Sequence, residues 1–60
     1  MKLSDARKLH GGDEVTVRRT GAVLRVIETE YVSKEESASG IPALSVFLED
    51  GNWYGYKEVK

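Results

Sequence analysis

The amino-acid sequence predicts a mainly β domain, a small barrel of five antiparallel strands with one short N-terminal helix. Two observations lead to this prediction. After Gly12, apolar and polar residues alternate with a period of two, as they do in half-buried strands. Between Leu44 and Tyr56, an alternating apolar run, an Asp-Gly pair and an aromatic return strand form a strong hairpin signal. A three-stranded sheet covered by the helix is the alternative fold.

The chain length limits the protein to one domain with one small core. A chain of 60 residues buries only about 60% of the surface that its unfolded form exposes, so marginal stability is expected. We predict a single domain over residues 1–60, with the helix at 4–10 and the barrel at 13–60. Because the chain has no cysteine and only one histidine, His10, we expect no disulfide and no zinc site.

The N-terminal segment has the signals of one short helix. Ser4 is a suitable N-cap residue, and the pair Gly11-Gly12 is a typical helix stop. So short a helix is not stable alone, and it must pack on the rest of the domain. We expect it to lie across an open end of the barrel through a narrow apolar stripe formed by Leu3, Ala6 and Leu9.

The first two strands are predicted from the change to a period of two. Val15 and Val17 alternate with polar residues and mark a half-buried first strand. Thr20-Gly21 is predicted as a turn, and a long β-rich run follows over residues 22–33. Strict alternation fails at Val26-Ile27, where two apolar residues adjoin. This pattern predicts a bulge or a strong bend, which allows one strand to serve both halves of a barrel.

The second half of the chain supplies the remaining strands. The polar segment 33–40 predicts a mobile loop, and Pro42 is expected to open the third strand because proline is excluded from central strand positions. The return strand of the hairpin is predicted over 53–56, and residues 58–60 suffice for a last short strand with Val59 inward. The third strand has an inward face of alternating apolar residues, Leu44, Val46 and Leu48.

The turn of the hairpin can close in two ways, and the choice decides which aromatic side chains face outward. A two-residue Asp50-Gly51 turn would pair Leu48 with Trp53 and place Trp53 inside. A type I turn followed by Gly51 as a left-handed bulge would pair Phe47 with Trp53 and place both outside. The slip of one residue moves every return-strand side chain to the other face. We expect the second register, because the two tyrosines of the return strand can then bury their rings and keep their hydroxyls at the rim.

The spacing of several short motifs resembles that of the SH3-like barrel group, in the broad sense that includes Tudor and KOW domains. The motifs span residues 12 to 60 and are Gly12-Asp13-Glu14-Val15-x-Val17, Gly21 followed by Val23 and Val26, Val46-x-Leu48-x-Asp50-Gly51, and Tyr56-x-Glu58-Val59. The chain has fewer glycines around the first hairpin than a KOW motif, and it lacks the Ala-Leu-Tyr-Asp-Tyr element of SH3 domains that bind proline-rich peptides. The resemblance implies a small barrel that binds peptides, modified side chains or nucleic acid.

The aromatic hairpin predicts a partner-binding surface. Either register leaves at least two aromatic residues on an outer face, where an isolated barrel would place polar groups. Exposed apolar patches on small proteins tend to be contacts, although the helix, the long loop or the chain end can also cover them. We predict a module that binds a protein or peptide partner through this surface, and the partner can be a second copy of the chain in a homodimer. The candidate residues are Tyr31, Phe47, Trp53, Tyr54 and Tyr56.

An aromatic cage for a methylated side chain is a further alternative, but alternation divides the rings between two faces.

Nucleic-acid binding is the alternative function, through Arg18, Arg19 and Arg25 together with an aromatic ring for base stacking. Residues 1–25 carry six basic and three acidic side chains, and residues 26–60 carry three basic and seven acidic ones. The net charge of −1 argues against a dedicated nucleic-acid binder, because such domains are usually basic. Charge blocks on small domains usually serve solubility, and opposite patches can also steer a charged partner.

The sequence carries no recognisable pattern for catalysis. No serine lies in a nucleophile-elbow context, and His10 has no placed carboxylate. The glutamates occupy a predicted loop and a strand face, and no phosphate-binding loop or calcium loop is complete. We therefore expect no catalytic residue, no cofactor and no metal. The chain has no apolar run of roughly 20 residues and no secretion signal at its start, so we expect a soluble cytoplasmic protein that does not bind membranes.

Overall fold

The protein is mainly β, as the sequence predicts. The computed structural model describes residues 1–60 and contains a four-stranded antiparallel sheet with the spatial order β1-β2-β3-β4. The sheet is open, and one short helix precedes it. In chain order the elements are α1 (Leu3–Ala6), β1 (Glu14–Thr16), β2 (Val23–Val32), β3 (Ala43–Leu48), β4 (Trp53–Gly55) and a 3₁₀ turn (Tyr56–Glu58).

The C-terminal segment predicted as a fifth strand forms a single bridge instead. After β4 the chain turns, because the Glu58 carboxylate accepts a hydrogen bond of 2.7 Å from the backbone N–H of Gly55 and holds the 3₁₀ turn. Only the last two residues remain beyond this turn. Val59 forms an isolated antiparallel bridge with Val17, and the N–H of Lys60 donates to the carbonyl of Thr16 at 2.9 Å. The chain end therefore lies along β1 without forming a strand.

The helix is shorter than the predicted span of 4–10. It ends at Ala6, and its N-cap is Lys2, whose side chain makes no capping hydrogen bond, whereas Ser4 lies inside the helix. The following residues continue as a turn closed by i to i−3 bonds, such as Lys8 N–H to the Asp5 carbonyl at 3.1 Å. Such a short helix is held by tertiary packing. Ala6 is buried, and the other members of the predicted stripe, Leu3 and Leu9, are half-buried against the core.

No helix has the length and the apolar character that crossing a bilayer requires.

The long strand β2 contains the bulge that the sequence predicts. Val26 pairs with Leu48 and Glu28 pairs with Phe47, so Ile27 is an extra residue without a partner on β3. Residues 23–25 of β2 pair with β1, and Val26 together with the residues after the bulge pairs with β3. The bulge thus lets one strand take part in both halves of the bent sheet.

The core is entirely apolar, and β4 is the one strand that contributes no buried residue to it. The third strand contributes the predicted inward face, and the fully enclosed Val59 joins it from the chain end. Burying a valine or leucine side chain contributes about 1.5–3 kcal/mol, so these few residues supply much of the stability of the domain. The buried residues are Ala6, Val15, Val17, Val26, Leu44, Val46, Leu48 and Val59.

Candidate partner-binding surface

The β3–β4 hairpin closes through a type I turn with a glycine bulge. The N–H of Gly51 donates to the carbonyl of Leu48 at 2.9 Å, and the N–H of Leu48 donates to the carbonyl of Asn52 at 3.0 Å. Gly51 has a φ of 84°, a left-handed conformation that glycine adopts at no steric cost. This geometry confirms the second of the two predicted registers, in which Phe47 pairs with Trp53.

The register places two aromatic rings together on the outer face of the sheet. Val46 and Leu48 are buried on the inner face, so Phe47 between them points outward, and so does its direct partner Trp53. The two ring centroids are 5.1 Å apart and the ring planes are tilted by 45°. Trp53 keeps 46% of its surface exposed, and Phe47 is half-buried. We call these two residues the aromatic patch.

The aromatic patch is bordered by acidic and small residues. Glu28 lies directly opposite Phe47 on β2, so its carboxylate shares the outer face with the two rings. The next row of the same face is formed by Glu30, Ser45 and Gly55. These two rows add two carboxylates and two small residues to the outer face, on which Arg25 also lies.

Tyr54 in β4 and Tyr56 at the start of the 3₁₀ turn both face inward, as the preferred register predicts. Tyr54 pairs with Val46, and both Tyr54 and Tyr56 are half-buried against the core. The Tyr54 hydroxyl reaches the hairpin tip and donates a hydrogen bond of 2.6 Å to Oδ2 of Asp50. This bond lowers the pKa of Asp50 below its ordinary value and raises the pKa of Tyr54 above its own. The Lys57 ammonium lies 5.9 Å from the centroid of the Tyr56 ring.

Tyr31 is not part of the aromatic patch, although the sequence suggests it as a neighbour. It pairs with the buried Leu44 and so lies on the inner side of the sheet, opposite to Trp53. The Arg7 guanidinium, just after α1, stacks over the Tyr31 ring at 4.5 Å from its centroid. The five predicted aromatic residues are therefore divided between two faces and do not converge on one cage.

The three arginines of the alternative site are also divided. Arg25 pairs with Glu14 on the outer face, and its backbone N–H donates to the Glu49 carboxylate at 2.8 Å. Arg18 and Arg19 instead line a surface depression of about 360 Å³. We call it the basic depression, and its lining residues are Val17, Arg18, Arg19, Tyr54, Lys57 and Glu58.

Lys57 is the functional candidate that sequence reasoning missed. It comes from the 3₁₀ turn, far along the chain from the two arginines, and the backbone bond from Arg18 N–H to the Glu58 carbonyl at 2.9 Å brings the two segments together. No local pattern in the sequence signals this pairing, because it depends on the position of the chain end along β1.

His10 and the acidic side chains do not converge on a metal-binding cluster. No group of three or more histidine, cysteine, aspartate or glutamate side chains is placed to hold a metal ion. The exposed His10 contributes its backbone N–H, not its imidazole, to a hydrogen bond with Asp13 at 2.9 Å.

The fold and this surface define a small, mainly β domain that exposes a tilted aromatic pair. No family model matches the chain, and no curated protein or solved structure is significantly similar to it.

Proposed function

We propose that the protein is a non-catalytic binding module whose partner is a protein or peptide and whose contact surface is the aromatic patch. The observation that supports this proposal is the position of Trp53, which remains nearly half exposed although its ring lies against that of Phe47 in a tilted arrangement. The core is closed by other residues and does not need either ring. Large aromatic side chains of this kind dominate binding energy in protein contacts.

The charges around the aromatic patch favour a basic partner. Glu28 and Glu30 lie on the same face as the rings, so a lysine or arginine of the partner can stack on an aromatic ring and pair with a carboxylate at once. A symmetric homodimer through this surface would bring the glutamates of both copies into one interface. A different protein with basic residues is therefore a better occupant than a second copy.

We propose that the domain is an SH3-like barrel, the fold that the motif spacing suggests. Two features support this proposal. The bulge in β2 bends the sheet, and the chain end lies on the free edge of β1, where Thr16 and Lys60 exchange backbone hydrogen bonds of 2.9 and 3.4 Å.

We also propose a cytoplasmic location for the protein, with which the absence of cysteine is consistent.

The partner-binding proposal is tested by comparing two variants with the wild type. Phe47→Ser combined with Trp53→Ser removes the aromatic patch, and Ile41→Ser is the matched control because Ile41 is 65% exposed but lies outside the patch. A partner isolated with the wild-type protein should be retained by the control and lost by the double variant. Sedimentation of all three proteins tests for a homodimer. Retention of the same partner at equal affinity, with unchanged mass, by the folded double variant would contradict the proposal.

Nucleic-acid binding is the second candidate function. The proximity of Arg18 and Arg19 to Lys57 and Tyr54 favours it, whereas the separate position of Arg25 and the acidic outer face weigh against it. The test is binding of single- and double-stranded oligonucleotides across a salt series. A micromolar affinity that falls steeply with salt would support it, and no binding at low salt would exclude it.

A further inference from the structure

The basic depression lies on a part of the fold that is held in place before any ligand arrives. One wall is the β1–β2 turn and the other is the 3₁₀ turn, and a backbone hydrogen bond of 2.9 Å from Arg18 to Glu58 joins them. The adjacent Val17–Val59 bridge is buried in the core and fixes the floor. The backbone around the depression therefore needs little rearrangement to accept a ligand.

The positive charges in the basic depression are only partly neutralised within the protein. Its lining contains three cationic side chains, Arg18, Arg19 and Lys57, and one carboxylate, Glu58, which gives the lining a charge of 3 − 1 = +2. The Asp50 carboxylate lies beside the lining, at the Tyr54 hydroxyl. Glu58 directs its carboxylate back to the Gly55 N–H at 2.7 Å. The side-chain hydrogen bonds of the protein involve none of the three cations.

Arg19 also acts on the aromatic wall of the depression. The pKa of Tyr54 is raised chiefly by its hydrogen bond to Asp50, and the positive charge of Arg19 opposes this rise. Arg19 and Tyr54 both line the depression, so an anion bound there would lie beside the guanidinium and the phenol ring.

We propose that the basic depression binds a dianionic phosphate group. A phosphate monoester carries a charge of about −1.5 to −2 at neutral pH, which matches the local charge of the lining. Arginine guanidinium groups bind phosphate oxygens with two parallel hydrogen bonds, and lysine adds a compact point charge. The volume of about 360 Å³ is within the range of small-molecule sites.

The surroundings of the basic depression favour one phosphate group over a nucleic-acid strand. The Asp50 carboxylate is held at the Tyr54 hydroxyl, and Glu58 belongs to the lining, so a chain of successive phosphates would pass these negative charges. A free phosphate ion and a phosphate monoester on a small carrier share the chemistry that the depression recognises. The Tyr54 ring gives an aromatic carrier an additional contact surface.

The proposal is tested by following backbone amide shifts in NMR spectra of the full chain during titration. The probes are phenyl phosphate, inorganic phosphate, benzoate as a singly charged aromatic control, and a short single-stranded oligonucleotide. We expect phenyl phosphate to give saturable shifts at Arg18, Arg19 and the 3₁₀ turn, and benzoate to bind at least about tenfold more weakly. Equal affinities for phenyl phosphate and inorganic phosphate would support a free phosphate as the ligand, and tighter binding of phenyl phosphate would support a monoester.

Matched charge-removing variants test the location of the site. Arg19→Gln and Lys57→Gln should each weaken phosphate binding by about tenfold, whereas Arg25→Gln, which removes the same charge outside the depression, should leave it unchanged. The NMR spectra of the variants also show whether each remains folded. The proposal is overturned by any of four results: shifts that never saturate, equal binding of benzoate, tighter binding of the oligonucleotide, or equal weakening by Arg25→Gln.

Discussion

The hydroxyl of Tyr54 and the carboxylate of Asp50 form a hydrogen bond of 2.6 Å that connects β4 to the turn before it. The backbone N–H of Asn52 and its side-chain amide donate to the same carboxylate, at 3.1 and 3.3 Å. Asp50 therefore accepts hydrogen bonds from three donors around the turn. This arrangement stabilises the register that places Phe47 and Trp53 outside, so the contact surface of the outer face depends on a bond at the hairpin tip.

Tyr54→Phe should raise the pKa of Asp50 toward its ordinary value. The Tyr54 hydroxyl is the main reason that the pKa is lowered, and Asn52 contributes less. The titration of the Asp50 carboxyl carbon, followed by NMR in wild type and variant, measures the change directly. Tyr56→Phe is the control, because the Tyr56 hydroxyl makes no contact with Asp50, and the Asp50 titration should remain that of the wild type. Identical Asp50 curves in wild type and Tyr54→Phe would show that the hydrogen bond is absent in solution.

The same hydrogen bond should make the stability of the protein depend on pH at two ends of the range. Because the pKa of Asp50 is lowered on folding, its contribution is present above the ordinary carboxyl pKa and is lost as the pH falls through the lowered value. Because the pKa of Tyr54 is raised, its contribution is present below the ordinary phenol pKa and is lost as the pH rises through the raised value. Urea unfolding of wild type and Tyr54→Phe should therefore differ most near neutral pH. A difference that stays constant into strong acid and strong alkali would contradict this prediction.

Gly51→Ala should destabilise the hairpin although the new methyl group has room. No atom lies within 4 Å of a Cβ built at Gly51, so the cost comes from the backbone, whose φ is 84°. An L-residue in this region costs about 1–2 kcal/mol, and asparagine tolerates it better than alanine. We expect Gly51→Ala to lower the free energy of unfolding by about 1 kcal/mol and Gly51→Asn to lower it less. An equal or larger loss for asparagine in urea unfolding would argue against the bulge conformation.

Val59→Ala tests whether the chain end is part of the core. Val59 is completely buried and forms the bridge to Val17, so removing two methyl groups should cost about 2 kcal/mol in the free energy of unfolding. Val23→Ala is the matched control, because Val23 is 59% exposed and the same substitution should cost little there. Similar losses for both variants in urea unfolding would mean that the C-terminal segment does not dock on β1 in solution.

The sequence is sufficient to predict the parts of the fold that depend on local signals. The bulge at Val26-Ile27 follows from a break in alternation. The Asp-Gly pair is compatible with two registers, and only the preference of tyrosine for a half-buried position favours the observed one. The aromatic pair on the outer face is a consequence of that register. These features depend on residues that are neighbours in the chain or across one turn.

The features that could not be predicted depend on contacts between distant segments. The alternation along β2 is compatible with Tyr31 on either face of the sheet. Its pairing with β3 places it on the inner side, and the packing of α1 brings Arg7 over its ring. Lys57 joins Arg18 and Arg19 because the chain end lies along β1. The 3₁₀ turn replaces the start of the expected last strand because the Glu58 carboxylate accepts a hydrogen bond from the backbone N–H of Gly55, which alternation does not reveal.

Arg7→Gln tests whether the stacked contact with Tyr31 helps to hold the short helix against the sheet. The Arg7 guanidinium lies 4.5 Å from the Tyr31 ring centroid, and an exposed contact of this type contributes about 0.5–1 kcal/mol. We expect the variant to lose about this amount in urea unfolding and to shift the Tyr31 ring resonances. Lys8→Gln removes the same charge from the next residue, which has no aromatic partner, and should change neither quantity. If the two variants behave alike, the effect of Arg7 is one of net charge, and α1 is held by its apolar contacts with the core.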